Sequence, residues 1–95
     1  MPALTALQYL VLRALISGEL GAKDLKEVLR DNDVKKSSPA FYQLMTRLEE
    51  KGYIDAWWDE EADHHRTRKY RITGEGQRSV HQTEAFYTAV NRALA

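Results

Sequence analysis

Ninety-five residues, 43% of them hydrophobic, support one domain with one core, since dividing the chain would leave neither half enough surface to bury. Fourteen basic and fourteen acidic side chains cancel, which excludes an indiscriminately basic nucleic-acid binder. Cysteine is absent, so disulfides and thiolate metal sites are excluded, and the opening residues lack the basic segment and unbroken apolar run of a signal peptide or membrane anchor. The cytoplasm is the expected location.

Along the chain, Leu4, Leu7, Val11, Ala14 and Leu15 recur at helical spacing, and Leu10, Leu12 and Ile16 widen the apolar surface, so a first helix covered on two sides is expected over 4–16. Ser17 and Gly18 stop it. After a short connection through Leu20 and Gly21, Leu25, Val28 and Leu29 predict a brief second helix ending near Arg30. Asp31, Asn32 and Asp33 are turn residues, followed by a basic linker. A third helix should begin with Ser38 as N-cap and Pro39 at the first helical position, bury Phe41, Leu44, Met45 and Leu48, and end at the left-handed residue Gly52. Residues 53–59 and 67–73 are rich in β-formers and predict two antiparallel strands joined by an acidic tip that carries His64 and His65. Thr73 is placed to cap a last helix in which Val80, Thr83, Tyr87, Val90 and Leu94 form a seam at 3–4 spacing.

The expected fold is therefore mainly α with a small β-hairpin: a winged helix-turn-helix of three helices, a two-stranded wing and a C-terminal dimerisation helix. Residues 1–73 would form the DNA-binding domain and 74–95 the dimerisation element packed on it. In this element order the third helix enters the major groove and the hairpin reaches the backbone or minor groove.

Charge along the chain is ordered in a way that suits this arrangement. Basic side chains gather in 35–51 and 66–71, while 53–63 holds five carboxylates and no lysine or arginine. The run Phe41-Tyr42-Gln43-Leu44-Met45-Thr46-Arg47-Leu48-Glu49-Glu50-Lys51-Gly52-Tyr53-Ile54 resembles the recognition helix and exit of the PadR-like transcriptional regulators. Trp58 stands where that family carries an aromatic on its first wing strand, and Arg68-Lys69-Tyr70-Arg71-Ile72-Thr73-Gly74-Glu75-Gly76 is similar to its second strand and cap. The resemblance implies a regulator of transcription, a repressor in the usual case, bound to double-stranded DNA as a homodimer. The alternative from the same fold is a protein–protein interaction module without DNA binding, which zero net charge and Glu50 favour.

With its apolar side buried, the third helix presents Pro39, Gln43, Thr46 and Glu50, flanked by Ala40 and Arg47. Gln43 and Arg47 are the base-reading candidates, because glutamine can pair bidentately with adenine and arginine with guanine. Lys35, Lys36, Ser37 and Ser38 stand at the helix N-terminus, where free N–H groups favour a phosphate oxygen. On the wing, strand alternation puts Arg66 and Arg68 on one face as phosphate partners, while Lys69 and Arg71 neutralise the acidic strand opposite. His64 and His65 would add charge to the wing below roughly pH 6.5; with Asp63 they make a poor metal set, and no metal is expected.

The expected dimer contact takes Leu4, Leu7, Val80, Thr83, Phe86, Tyr87, Val90 and Leu94. Of Trp57 and Trp58, strand alternation sends one into the core and leaves the other exposed or at an interface. The aromatics serve packing first. A small aromatic effector held by Trp57, Phe86 or Tyr87 is what the family resemblance adds. No nucleophile with a base, paired-carboxylate motif or phosphate-cradling glycine loop occurs, so neither enzymatic activity nor a cofactor is expected.

Overall fold

The computed structural model describes residues 4–60 and 66–95. Helix α1 (Ala6–Leu15) opens on Thr5, whose hydroxyl accepts from the Gln8 backbone N–H at 3.2 Å while the Gln8 side chain accepts from the Thr5 N–H at 3.1 Å. Two orphan donors of the first turn are satisfied in one exchange. A two-residue strand β1 (Leu20–Gly21) leads into α2 (Ala22–Asp31), whose Asp24 carboxylate accepts from the Gly21 N–H at 3.3 Å. Helix α3 (Ser38–Glu50) follows the turn, and strands β2 (Ile54–Glu60) and β3 (Arg66–Ile72) lead to the long α4 (Gly74–Leu94).

The expected wing is two-stranded, but the sheet has three strands in the order β1-β3-β2, all antiparallel. Leu20 pairs with Tyr70 and Gly21 with Lys69 on the free edge of β3. Two residues are too few to show alternation in a sequence, and this strand exists because β3 offers it an edge. Its consequence is positional: the first turn of α2 is tied directly to the root of the wing.

One core unites the elements. Val11, Leu12 and Leu15 of α1, Leu25 and Leu29 of α2, and Phe41, Leu44, Met45 and Leu48 of α3 close over Ile54, Tyr70 and Ile72 of the sheet and Val80 of α4. Val80 and Thr83, expected at the dimer contact, are each 1% exposed and belong to the interior of this chain, as does Leu4. The seam at 3–4 spacing thus has an intrachain partner over its first half, because α4 packs back on α1. There Tyr9 donates to the Glu84 carboxylate at 2.7 Å, which raises the phenol pKa above its ordinary value, with Arg13 at 3.5 Å from the same carboxylate.

Tyr70 lies at the centre of the sheet, 2% exposed and edge-on to Phe41 with ring centroids 6.4 Å apart. Burial pushes its phenol up to about 12, with Arg68 pulling weakly in the other direction. A phenol whose folded pKa exceeds its unfolded value stabilises the fold fully below pH ~10 and loses that contribution as pH rises to ~12. By pH ~11.5 the loss amounts to about 2 kcal/mol. Tyr70→Phe should lack this alkaline loss, and the comparison of urea midpoints for both proteins at pH ~9 and ~11.5 measures it. Parallel decline of the two would assign the loss to other groups.

Candidate nucleic-acid interface

Helix α3 is set by its two ends. Its N-cap is Ser37 rather than Ser38: the Ser37 hydroxyl accepts from the Ala40 N–H at 3.3 Å, and Pro39 occupies the second helical position. Ser38 has a different partner, accepting a hydrogen bond from the Lys26 ammonium of α2 at 3.2 Å. At the far end Gly52 turns the chain with φ +76°, a conformation in which a side chain would be strained. With Phe41, Leu44, Met45 and Leu48 buried, Gln43, Thr46, Arg47 and Glu50 form an exposed face and Ala40 is half-buried beside it. Pro39, Tyr42, Gln43, Thr46, Arg47 and Glu50 border one shallow depression on that face. Next to it, Lys35, Lys36, Ser37 and Ser38 line a cleft of about 540 Å³ with Lys26 and Arg30, so the α3 N-terminus faces a basic surround.

The wing's two faces differ in kind. Register places Ile54, Ala56, Trp58 and Glu60 opposite Ile72, Tyr70, Arg68 and Arg66, so these eight side chains share a face. The helices cover only its first part. Beyond Ala56 the same face leaves the core, and Trp58 there is 51% exposed with the Arg66 and Arg68 guanidiniums over its ring at 4.8 and 5.0 Å. Arg68 also reaches Glu49 of α3 at 4.0 Å, a loose contact between wing and helix. On the opposite face Arg71 pairs with Asp55 at 3.4 Å and lies 5.4 Å from the Trp57 ring, while Lys69 stands opposite Trp57.

Neither tryptophan occupies the core, contrary to the expectation that one would. Trp57 is half-buried on the outer face, and Trp58 stands half in solvent across a groove from α2, with cations for partners. His64 and His65 lie outside the described residues, and with them the reading of the wing tip. Sequence reasoning passed over Lys26 and Tyr42: the Lys26 ammonium lies 4.8 Å from the Tyr42 ring centre and 5.4 Å from that of Phe41. Opposite charge faces and helix spacing mark Lys26 only as a solvated residue of α2; its approach to α3 depends on the crossing of the two helices.

On α4, Tyr87 is exposed, Phe86 and Val90 are half-buried, and Leu94 is 81% exposed; Leu7 on α1 is half-buried. Tyr9 and Tyr87 border a groove of about 550 Å³ between α1 and α4, which neither Trp57 nor Phe86 lines. Among the described residues no helix is long and apolar enough to cross a membrane.

An exposed polar face on the third helix, a hairpin with a cationic inner flank and a helix tying back across the first define the winged helix-turn-helix class. Within that class, the model of the transcriptional regulator PadR-like family matches residues 11–82, and the chain belongs to that family. It is a family of regulators, not an enzymatic class. A PadR-like transcription factor from Bacteroides fragilis superposes with a TM-score of 0.82 at 23% identity, over 93% of this chain and 85% of that one. A PadR family regulator from Eggerthella lenta does so at 0.76 and 28% identity, over 93% and 77%. The Bacillus subtilis PadR solved in complex with operator DNA gives 0.70 at 20% identity, over 81% of this chain and 46% of that one. No protein with a curated description matches the chain.

Proposed function

We propose that this regulator binds double-stranded DNA as a homodimer, reading bases in the major groove with α3 and holding the backbone with the wing. The observation that carries the reading is the juxtaposition of an exposed Gln43, Thr46 and Arg47 face with the guanidiniums of Arg66 and Arg68 on the inner flank of the wing. Gln43 and Arg47 supply base contacts, while Lys35, Lys36, Ser37 and Ser38 take a phosphate at the α3 N-terminus. The likeness to a PadR solved on operator DNA supports the same reading. Occupying the duplex excludes other proteins from it, so the simplest regulatory outcome is repression in the cytoplasm.

The dimer contact uses what α4 leaves uncovered, namely Phe86, Tyr87, Val90 and Leu94, with Leu7 of α1 at its edge. Twenty-one residues extend α4 over about 32 Å, long enough to pair along a partner helix. A small aromatic effector fits against Tyr9 and Tyr87 in the α1–α4 groove. Two-fold symmetry then sets two half-sites about one helical turn, ~34 Å, apart.

Selection of duplexes from a random pool, with light scattering on the free protein, tests the proposal. The expected result is a dimer at micromolar concentration and a pseudo-palindromic site whose affinity falls steeply with salt. A monomer with no salt-sensitive duplex binding would overturn it and leave the interaction-module reading in its place.

A further inference from the structure

The floor between α2 and the wing forms a groove of about 350 Å³ whose described lining carries five cations, against the single carboxylate of Glu27. Lys23 and Lys26 rise from α2, Arg66 and Arg68 from β3, and the walls between them are the rings of Tyr42 and Trp58. The β1–β3 pairing explains why these groups meet, since it fixes the α2 N-terminus beside the wing root. If α3 occupies a major groove and the wing the neighbouring minor groove, the sugar–phosphate strand separating the two grooves must cross the surface between them. Tyr42 of α3 borders both the exposed face of that helix and this groove, which puts the groove on the path of that strand.

We propose that the α2–wing groove seats that strand, with Lys23, Lys26, Arg66 and Arg68 as phosphate partners and Trp58 as the positioning residue for the two arginines. The proposal rests on the duplex-binding reading above and adds to α3 and the wing a third element, α2, with its residues Lys23 and Lys26. Each aromatic wall holds a cation before any ligand arrives: Trp58 underlies both guanidiniums, and Tyr42 faces the Lys26 ammonium. Fixing long side chains in advance lowers the entropy lost when they engage phosphate. It also gives a reason for a tryptophan to stand half in solvent on a strand. Lys26 and Arg30 border both this groove and the cleft at the α3 N-terminus, so two cations of α2 join the two basic surfaces.

Phosphate partners are counted by the salt dependence of binding, with a slope of log K against log salt near −0.9 per phosphate neutralised. Binding of the selected duplex by the full chain between about 50 and 300 mM salt should therefore be compared with that of the double variant Lys23→Gln, Lys26→Gln. The slope should become shallower by roughly 1.8, with base preference unchanged. Trp58→Leu should weaken binding about tenfold, because two long side chains that the ring no longer holds must then be ordered on binding, and Trp58→Tyr should recover it. Lys51→Gln, at the end of α3 away from the groove, should keep the original slope. A double variant with the parental slope, or an equal change from Lys51→Gln, would overturn the seat while duplex binding stands. A parental chain with no duplex binding would overturn both.

Discussion

Alanine at both Gln43 and Arg47 is expected to give a protein that still binds duplex DNA but prefers no sequence. Both side chains are exposed on the α3 face away from the core, so their removal opens no cavity. Each bidentate pair contributes about 1–3 kcal/mol of discrimination against the wrong base, and two of them together set a preference of roughly a hundredfold or more. The phosphate partners remain in the double variant, less the one charge of Arg47. Affinity for unrelated duplex should therefore change only a few-fold, since non-specific binding depends on counterion release rather than base edges. Competition between the selected duplex and a scrambled one measures the ratio directly. An undiminished preference would move base reading to other residues, with Thr46 and Pro39 the next on the same face.

The buried face of α3 was legible because helix periodicity reports it directly: Phe41, Leu44, Met45 and Leu48 recur at the right spacing and all are buried. The same holds for the stops at Gly52 and the cap at Thr73, where residue chemistry and backbone geometry have a local relation. Periodicity says that a face is covered and nothing about what covers it. Val80, Thr83, Tyr87 and Leu94 look alike in that pattern, yet the first two are sealed against the chain's own body and the last two are exposed. Strand β1 is shorter than any pattern, and its partner lies some fifty residues away. The position of Trp58 depended on where the sheet outruns the helices, a matter of lengths rather than of residue type. The Lys26 contact with Ser38 depended on the α2–α3 crossing. Local rules thus supplied the four helices, the two long strands and the ends at Gly52 and Thr73, though they set the α3 cap at Ser38, one residue late, while the candidate interface arises where three elements cross.

The junction between wing and α4 carries the largest expected effect on stability. Thr73 caps α4 by accepting from the Gly76 N–H at 3.1 Å, and its hydroxyl donates to the Gly52 carbonyl at 2.6 Å, while the Thr73 N–H donates to the Tyr53 carbonyl at 3.0 Å. The first turn of α4 is thereby drawn against the exit from α3. At Gly76 a Cβ would sit 2.2 Å from the Tyr53 carbonyl oxygen and 2.6 Å from Cγ1 of Ile72. The first is backbone held in that hydrogen bond, so it cannot turn aside as a side chain would. Gly76→Ala must either break the junction or shift α4 from the sheet, and a cost of about 3 kcal/mol or more follows from such overpacking. For a domain of this size that lowers the melting temperature by more than about 10 °C. Gly74→Ala is the matched control: its Cβ would meet only the Arg78 guanidinium at 3.7 Å. That change should leave the melting temperature within a few degrees or raise it slightly, since alanine restricts the unfolded chain. Thermal unfolding of the two variants beside the parent decides the matter, and equal melting of all three would mean that α4 is not held at this junction. Because α4 also offers the surface proposed for the dimer, loss of the junction should make melting of the Gly76→Ala variant more dependent on protein concentration than that of the parent.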